Sequence, residues 1–185
     1  MPGRLYGYRG GAGTRLQPAR KDAKWSVRLS VAIWRIGTDT PDYTALDLSG
    51  EGARRSGGRW NRAGTPLVYA SGSIALACLE TLAQLAAGDL PLNRYLVKIE
   101  APDAVWNAAE MLDTENHVGW DAIPAGKVSL DAGDAWAAAR TSALLIVPSV
   151  IVPEERNVLI NPAHPNTARL QAIKLRRWTY DPRLK

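Results

Sequence analysis

Cysteine and histidine are nearly absent from this 185-residue chain, and both shortages narrow what it can be. The single cysteine, Cys78, rules out a disulfide framework and a cysteine-ligated zinc site. Two histidines, His117 and His164, are too few for a histidine-rich metal centre. Long apolar stretches are missing as well. Even the run Ala143–Pro148 falls far short of the roughly 20 residues that span a bilayer, and no apolar signal-peptide core follows the N-terminus. There is no internal repeat, and no G-x-S-x-G turn that would mark a hydrolase nucleophile. These exclusions leave a cytoplasmic protein without a membrane span, most simply one domain, long enough to bury a core.

The net charge of +5 is unevenly spread. Residues 1–30 carry seven Lys/Arg against Asp22 and residues 169–185 carry six against Asp181, so the ends hold +6 and +5 and the middle −6. A nucleic-acid binder gathers its positive charge on the folded face that does the binding. Basic ends are more often tails or partner-contacting edges. Residues 1–26, with glycines scattered among arginines and no apolar period, read as a poorly ordered leader. Residues 27–185 read as a single domain.

The periodicity predicts short strands with two helices between them. Val31–Ile36 is a β-type run, Pro41 and Asp42 break the chain, and Leu46 to Arg55 reads as irregular. Leu67–Ala70 is a second strand. Ser71 or Ser73 caps a helix from about Ile74 to Ala87, with Gly88 placed to end it. Arg94–Ile99 alternates as a half-buried strand that Pro102 ends. Residues 103–130 are turn-rich, with Trp106, Trp120 and Pro124 against the core edge. Asp131 or Asp134 caps an alanine-rich helix to about Thr141. Ala143–Val147 is the most apolar strand and is placed centrally. Val150–Val152 and Val158–Ile160 read as a hairpin around Pro153–Arg156, and Ile173–Tyr180 as a basic edge strand. The class is α+β.

Chemistry concentrates around Gly57-Gly58-Arg59-Trp60-Asn61. Two glycines let backbone approach a ligand, and a guanidinium matches paired phosphate oxygens; the bland reading of Arg59 is a solvated loop arginine. Arg35, inside a β-type run, needs a carboxylate partner or a ligand. Glu80, Thr81 and Gln84 share one side of a helix, which is either its solvent side or the lining of a cleft. Tyr69 at a strand end is core filler or a platform for a flat heterocycle. Ser149 follows a strand end where its hydroxyl reaches a ligand. His164, between prolines, reads as a structural hydrogen-bonder, and Cys78 as buried and inert.

Trp34-Arg35, the GGRWN block, Tyr69-Ala70-Ser71, Glu80, Pro148-Ser149 and Asn161-Pro162 together resemble the RES-domain family, toxins of bacterial RES–Xre toxin–antitoxin pairs. The resemblance runs from about Val31 to Trp178. It implies an α+β fold similar to ADP-ribosyltransferases, with a small mixed sheet and flanking helices. It implies NAD as substrate rather than cofactor, no metal, and inorganic phosphate as co-substrate where the reaction is phosphorolysis. Glu80 would stabilise oxocarbenium character as the nicotinamide–ribose bond breaks. Arg59 and Arg35 would hold phosphates, with Gly58 and Asn61 alongside. Tyr69 would stack on nicotinamide or orient the ribose, and Ser149 would bond the ribose or the amide. Asn161 and His164 complete the candidate set. The partner would be a helical Xre-like antitoxin blocking the active site, with nucleic acid reached only through it. Two other readings stand beside NAD degradation: mono-ADP-ribosylation of a protein, and an RNA-directed toxin using the basic ends.

Overall fold

The computed structural model describes residues 30–85 and 92–184, so the leader and the helix-ending role of Gly88 lie outside the described residues. In chain order the elements are β1 (Ser30–Thr38), α1 (Glu51–Ser56), β2 (Val68–Ser71), α2 (Ile74–Ala83), β3 (Arg94–Pro102), α3 (Asp103–Trp106), β4 (Glu110–Met111), α4 (Lys127–Ala139), β5 (Leu144–Pro148), β6 (Arg156–Ile160) and β7 (Gln171–Trp178). The seven strands form one sheet in the order β4-β5-β6-β2-β1-β3-β7. Only β4 and β5 run parallel, so the sheet is mixed and the class is α+β.

One irregularity in the sheet creates the site. β1 pairs with β3 along its whole length, from Ser30↔Pro102 to Thr38↔Arg94. With β2 it pairs at a single position, Trp34↔Ser71. Beyond that point β1 and β2 diverge, and the backbone of Arg35–Thr38 turns one edge toward open space. β2 in turn is fully paired to β6, from Val68↔Ile160 to Ser71↔Asn157. Two well-supported half-sheets therefore meet at one joint.

Each half has its own apolar filling. Ile33, Val97, Ile99, Leu144, Val158 and Ile160 share one cluster. Trp60, Leu67, Trp136, Leu145, Val147 and Leu159 form a second beneath α4. Gly133 lets α4 approach that closely, since a Cβ there would meet the Trp60 carbonyl oxygen at 1.8 Å. Ile36, Ala77, Cys78 and Tyr180 form the third cluster, under α2. Burial pushes the Cys78 thiol above its usual range, as suits a thiol held in apolar surroundings.

Several expectations need correcting. The segment read as irregular contains α1, because Glu51 ties down Arg54 and Arg55 at 2.6–2.8 Å and offsets the neighbouring glycines. α4 starts at Lys127, not at Asp131 or Asp134. Those two carboxylates are not caps; they lie inside the helix and both bind Arg62. β5 is not central but second from an edge. The hairpin forms between β5 and β6, from Leu144↔Ile160 to Pro148↔Arg156, and leaves Val150–Val152 in its loop. Pro124 is exposed, whereas Trp106 and Trp120 do pack on the clusters. Ser73 is the residue that caps α2, accepting from the Leu76 amide at 3.1 Å. β7 is the edge strand, as its basic residues suggest. Among the described residues no helix is long and apolar enough to cross a membrane.

Candidate active site

The divergence of β1 and β2 opens a cleft of about 790 Å³. α1 and the Gly57–Trp60 turn form one wall, α2 another, and the loop after β5 closes an end. Arg35, Gly58, Arg59, Tyr69 and Glu80, separated by up to 45 positions in sequence, all line it.

Glu80 sits on α2, and the solvent-side reading of its stripe is overturned. The exposed positions of this helix include Ala75, Leu79 and Ala83, while Glu80, Thr81 and Gln84 line the cleft. Oε1 of Glu80 accepts from the Ser149 hydroxyl at 2.7 Å and from the Asn157 amide at 2.5 Å. Oε2 has no hydrogen-bond partner among the described residues. The carboxylate is thus gripped by one oxygen and left with the other. Hydrogen bonds to a charged group contribute roughly 1.5–3 kcal/mol each, enough to select one rotamer.

Ser149 reaches this position because the chain turns sharply after β5. Its Oγ also accepts from the Ile151 and Val152 amides at 3.0 and 3.1 Å. The side chain is fully buried with its hydroxyl proton committed to Glu80. Its expected place against the ribose or the amide is corrected: Ser149 acts behind Glu80, not on a ligand.

The GGRWN block splits into two jobs. Gly58 and Arg59 face the cleft. A Cβ on Gly58 would stand 2.5 Å from the Tyr69 hydroxyl, so only glycine fits against that ring. Nη1 of Arg59 donates to the carbonyls of Ala122 and Trp120 at 2.8 and 3.2 Å. Trp60 stacks on Trp120 at 6.1 Å and 15°. Together they pin residues 120–125 beside the cleft, and the rest of the Arg59 guanidinium remains without a partner among the described residues. Asn61 instead is fully buried, donating to the carbonyls of Thr65 and Ala53 at 2.8 and 2.9 Å. It supports the turn and does not line the cleft.

Tyr69 presents its ring to the cleft, but its hydroxyl is engaged. It accepts from the Trp60 amide at 3.0 Å and donates to Asn61 Oδ1 at 2.7 Å. Burial raises its ionisation well above the usual phenol range, so it stays protonated and is no general base. Arg35 donates to the Asp47 carbonyl at 2.9 Å and forms no salt bridge with a carboxylate among the described residues. Burial lowers its proton affinity, opposed mainly by the negative charge of Asp47.

Asn161 and His164 lie elsewhere. Asn161 is buried and bonds the Ala137 carbonyl at 2.9 Å. His164 Nδ1 accepts from the Asn166 amide, and the residue lines a shallow depression that shares no lining residue with the cleft. Both are structural.

A model described as the RES domain matches residues 32–182. The chain belongs to the RES domain family. It is 57% identical over 157 residues to a protein of Sphingobium sp. (strain YBL2) named Prs ADP-ribosylating toxin, covering 84% of this chain and 98% of the relative. It is 37% identical over 154 residues to Toxin Res of Pseudomonas putida, covering 82% and 98%, and 34% identical over 144 residues to Toxin Res of Yersinia enterocolitica, covering 77% and 93%. Among solved structures it resembles a chain of the M. tuberculosis MbcT-MbcA toxin-antitoxin complex, at 20% identity and a TM-score of 0.49, over 80% of this chain and 86% of that one.

Within this RES domain the residue that sequence reasoning missed is Asn157. Its Oδ1 accepts from Ser71 across the β2–β6 pair at 2.7 Å, which turns its amide donor toward Glu80. The signal was weak but present: a polar residue in an otherwise apolar strand needs a partner.

Proposed function

We propose that this RES domain is a toxin that uses NAD, breaking the nicotinamide–ribose bond at Glu80 and passing the ADP-ribosyl group to a protein. The observation that carries the reading is the Glu80 carboxylate, fixed on one oxygen by Ser149 and Asn157 in a cleft that also holds Arg35 and Arg59. Nicotinamide departs as a neutral base from a cationic bond, so no general acid is required. What accelerates departure is a fixed negative charge beside the ribose as oxocarbenium character develops. The free oxygen of Glu80 suits that task. The arginines suit the diphosphate, and the Tyr69 ring suits a flat pyridine. An acceptor hydroxyl or amine then forms a bond to the anomeric carbon and releases a proton.

Protein as the acceptor is favoured by the Sphingobium relative, whose name describes an ADP-ribosylating toxin. Degradation of NAD by phosphorolysis or hydrolysis is the second reading, favoured by the arginines that line the cleft and suit a free phosphate. A helical antitoxin covering the cleft would restrain either activity, as in the toxin–antitoxin pairs of the family.

Labelled NAD incubated with the protein, with and without phosphate and with a bacterial extract, separates these readings. Label in a protein band is the expected result. Phosphate-dependent nicotinamide release without labelling assigns phosphorolysis. No nicotinamide under any condition, with RNA bound or cut, refutes the NAD reading.

A further inference from the structure

The cleft continues past Glu80 along α2 to a corner that the chemistry above does not use. Thr38, Arg94 and Trp178 are register partners in one row across β1, β3 and β7. Tyr180 follows, its ring edge-on to Trp178 at 6.3 Å. Thr38 Oγ1, Arg94 Nε, Trp178 Nε1 and the Tyr180 hydroxyl are buried without a hydrogen-bond partner among the described residues. Buried polar atoms are normally satisfied, so several in one place call for a missing partner.

The donor balance identifies its chemistry. The guanidinium and the indole can only donate, and the two hydroxyls are free to do so. Arg94 takes part in no side-chain hydrogen bond or ion pair among the described residues, and Arg35 spends one bond on the Asp47 carbonyl. The two positive charges are close enough to act on one another. Like charges held together unpaired, beside unmet donors, fit an anion with several acceptor oxygens. Thr38, Thr81, Gln84 and Arg94 line the same cleft as Glu80. Gln84 lies one helical turn beyond Glu80, about 6 Å along the axis, which is on the scale that separates the two ends of a ribose phosphate.

We propose that Arg94, with Arg35 and Thr38, forms a phosphate seat one helical turn from Glu80, occupied by the diphosphate of the dinucleotide or by free phosphate. Trp178 and Tyr180 back the seat. It rests on the NAD reading and gives it a direction: the reacting ribose lies at Glu80 and the phosphates run toward β3.

Calorimetry with ADP-ribose and, separately, inorganic phosphate tests the seat on the full chain and on Arg94→Gln and Arg94→Lys. Loss of a charged donor pair should weaken binding about tenfold or more in the glutamine variant, with lysine recovering part of it. The thermal midpoint of ligand-free Arg94→Gln should hold or rise, because a like charge beside Arg35 is removed, while the shift on adding ADP-ribose shrinks. A purely structural Arg94 would give the opposite, a lower ligand-free midpoint with an undiminished ligand shift. Weakened ADP-ribose binding assigns the seat to the diphosphate; weakened phosphate binding with ADP-ribose unchanged assigns it to free phosphate. Unchanged affinity for both probes overturns the seat and leaves the NAD reading intact. Wild-type protein that binds neither NAD nor ADP-ribose overturns both. Should the glutamine variant fail to fold, wild-type affinity for both probes in Arg94→Lys overturns the bidentate seat.

Discussion

Replacing Asn157 with Asp is the sharpest test of how Glu80 is held. The substitution changes one amide nitrogen into an oxygen and leaves the shape alone. Oδ1 can still accept from Ser71 at 2.7 Å. The atom that donates to Glu80 Oε1 at 2.5 Å becomes a carboxylate oxygen. A bond worth roughly 1.5–3 kcal/mol is lost, and a repulsion takes its place. Two unit charges about 4 Å apart at an effective dielectric near 20 repel by about 4 kcal/mol. The pair escapes by keeping one proton to higher pH, as carboxylates sharing a site do. Nicotinamide release at neutral pH should therefore fall on the order of a hundredfold, with the acidic limb of the pH profile moved upward. Asn157→Ala removes the donor without adding charge, so it should slow release by about tenfold or more and leave the profile in place. Nicotinamide release measured from pH 5 to 9 for both variants decides the matter. Wild-type rates and an unmoved profile in Asn157→Asp would show that the Asn157 contact does not set the state of Glu80.

Glu80→Gln should abolish nicotinamide release and growth inhibition while keeping the thermal midpoint, because a glutamine oxygen still accepts from Ser149 and Asn157; full activity would remove Glu80 from the chemistry. Gly58→Ala should destabilise the chain by about 1–3 kcal/mol in urea unfolding, since the new methyl meets the Tyr69 hydroxyl at 2.5 Å. A neutral result there would mean that the ring moves freely. The α1 clamp predicts acid sensitivity. Hydrogen bonds from Arg54 and Arg55 lower Glu51 from 4.5 to about 2. A carboxyl depressed in the folded state stabilises fully above its unfolded value, and that stability is lost as pH falls from about 4.5 through about 2. Glu51→Gln should flatten the stability profile over that interval, and an unchanged acid slope would refute the clamp.

What could be read from the sequence divides along a physical line. The short strands and α2 were legible because their apolar residues follow the period of a half-buried ladder or a packed helix, and because Ser73 and Pro102 mark ends locally. α1 was hidden because glycines at 50 and 52 outweigh it in any local reading, while the Glu51 pairs that hold it form only once it is helical. The site was half legible for the same reason. Arg35, Gly58, Arg59, Tyr69 and Glu80 could be suspected from type and spacing, but whether Glu80 faces water depends on what α2 packs against. A helix over an unbroken sheet would turn that polar stripe outward. Here β1 and β2 part after one pair, Trp34↔Ser71, so the side of α2 over the gap meets a cleft and the apolar Ala75, Leu79 and Ala83 are left exposed. The polar stripe thus marks the sheet's missing ladder rather than its solvent side. The same break explains Asn157: it is paired to Ser71, the β2 residue at the joint, so the contact that orients the carboxylate is built into the only place where the two half-sheets meet. Movement at that joint would change the cleft and the grip on Glu80 together.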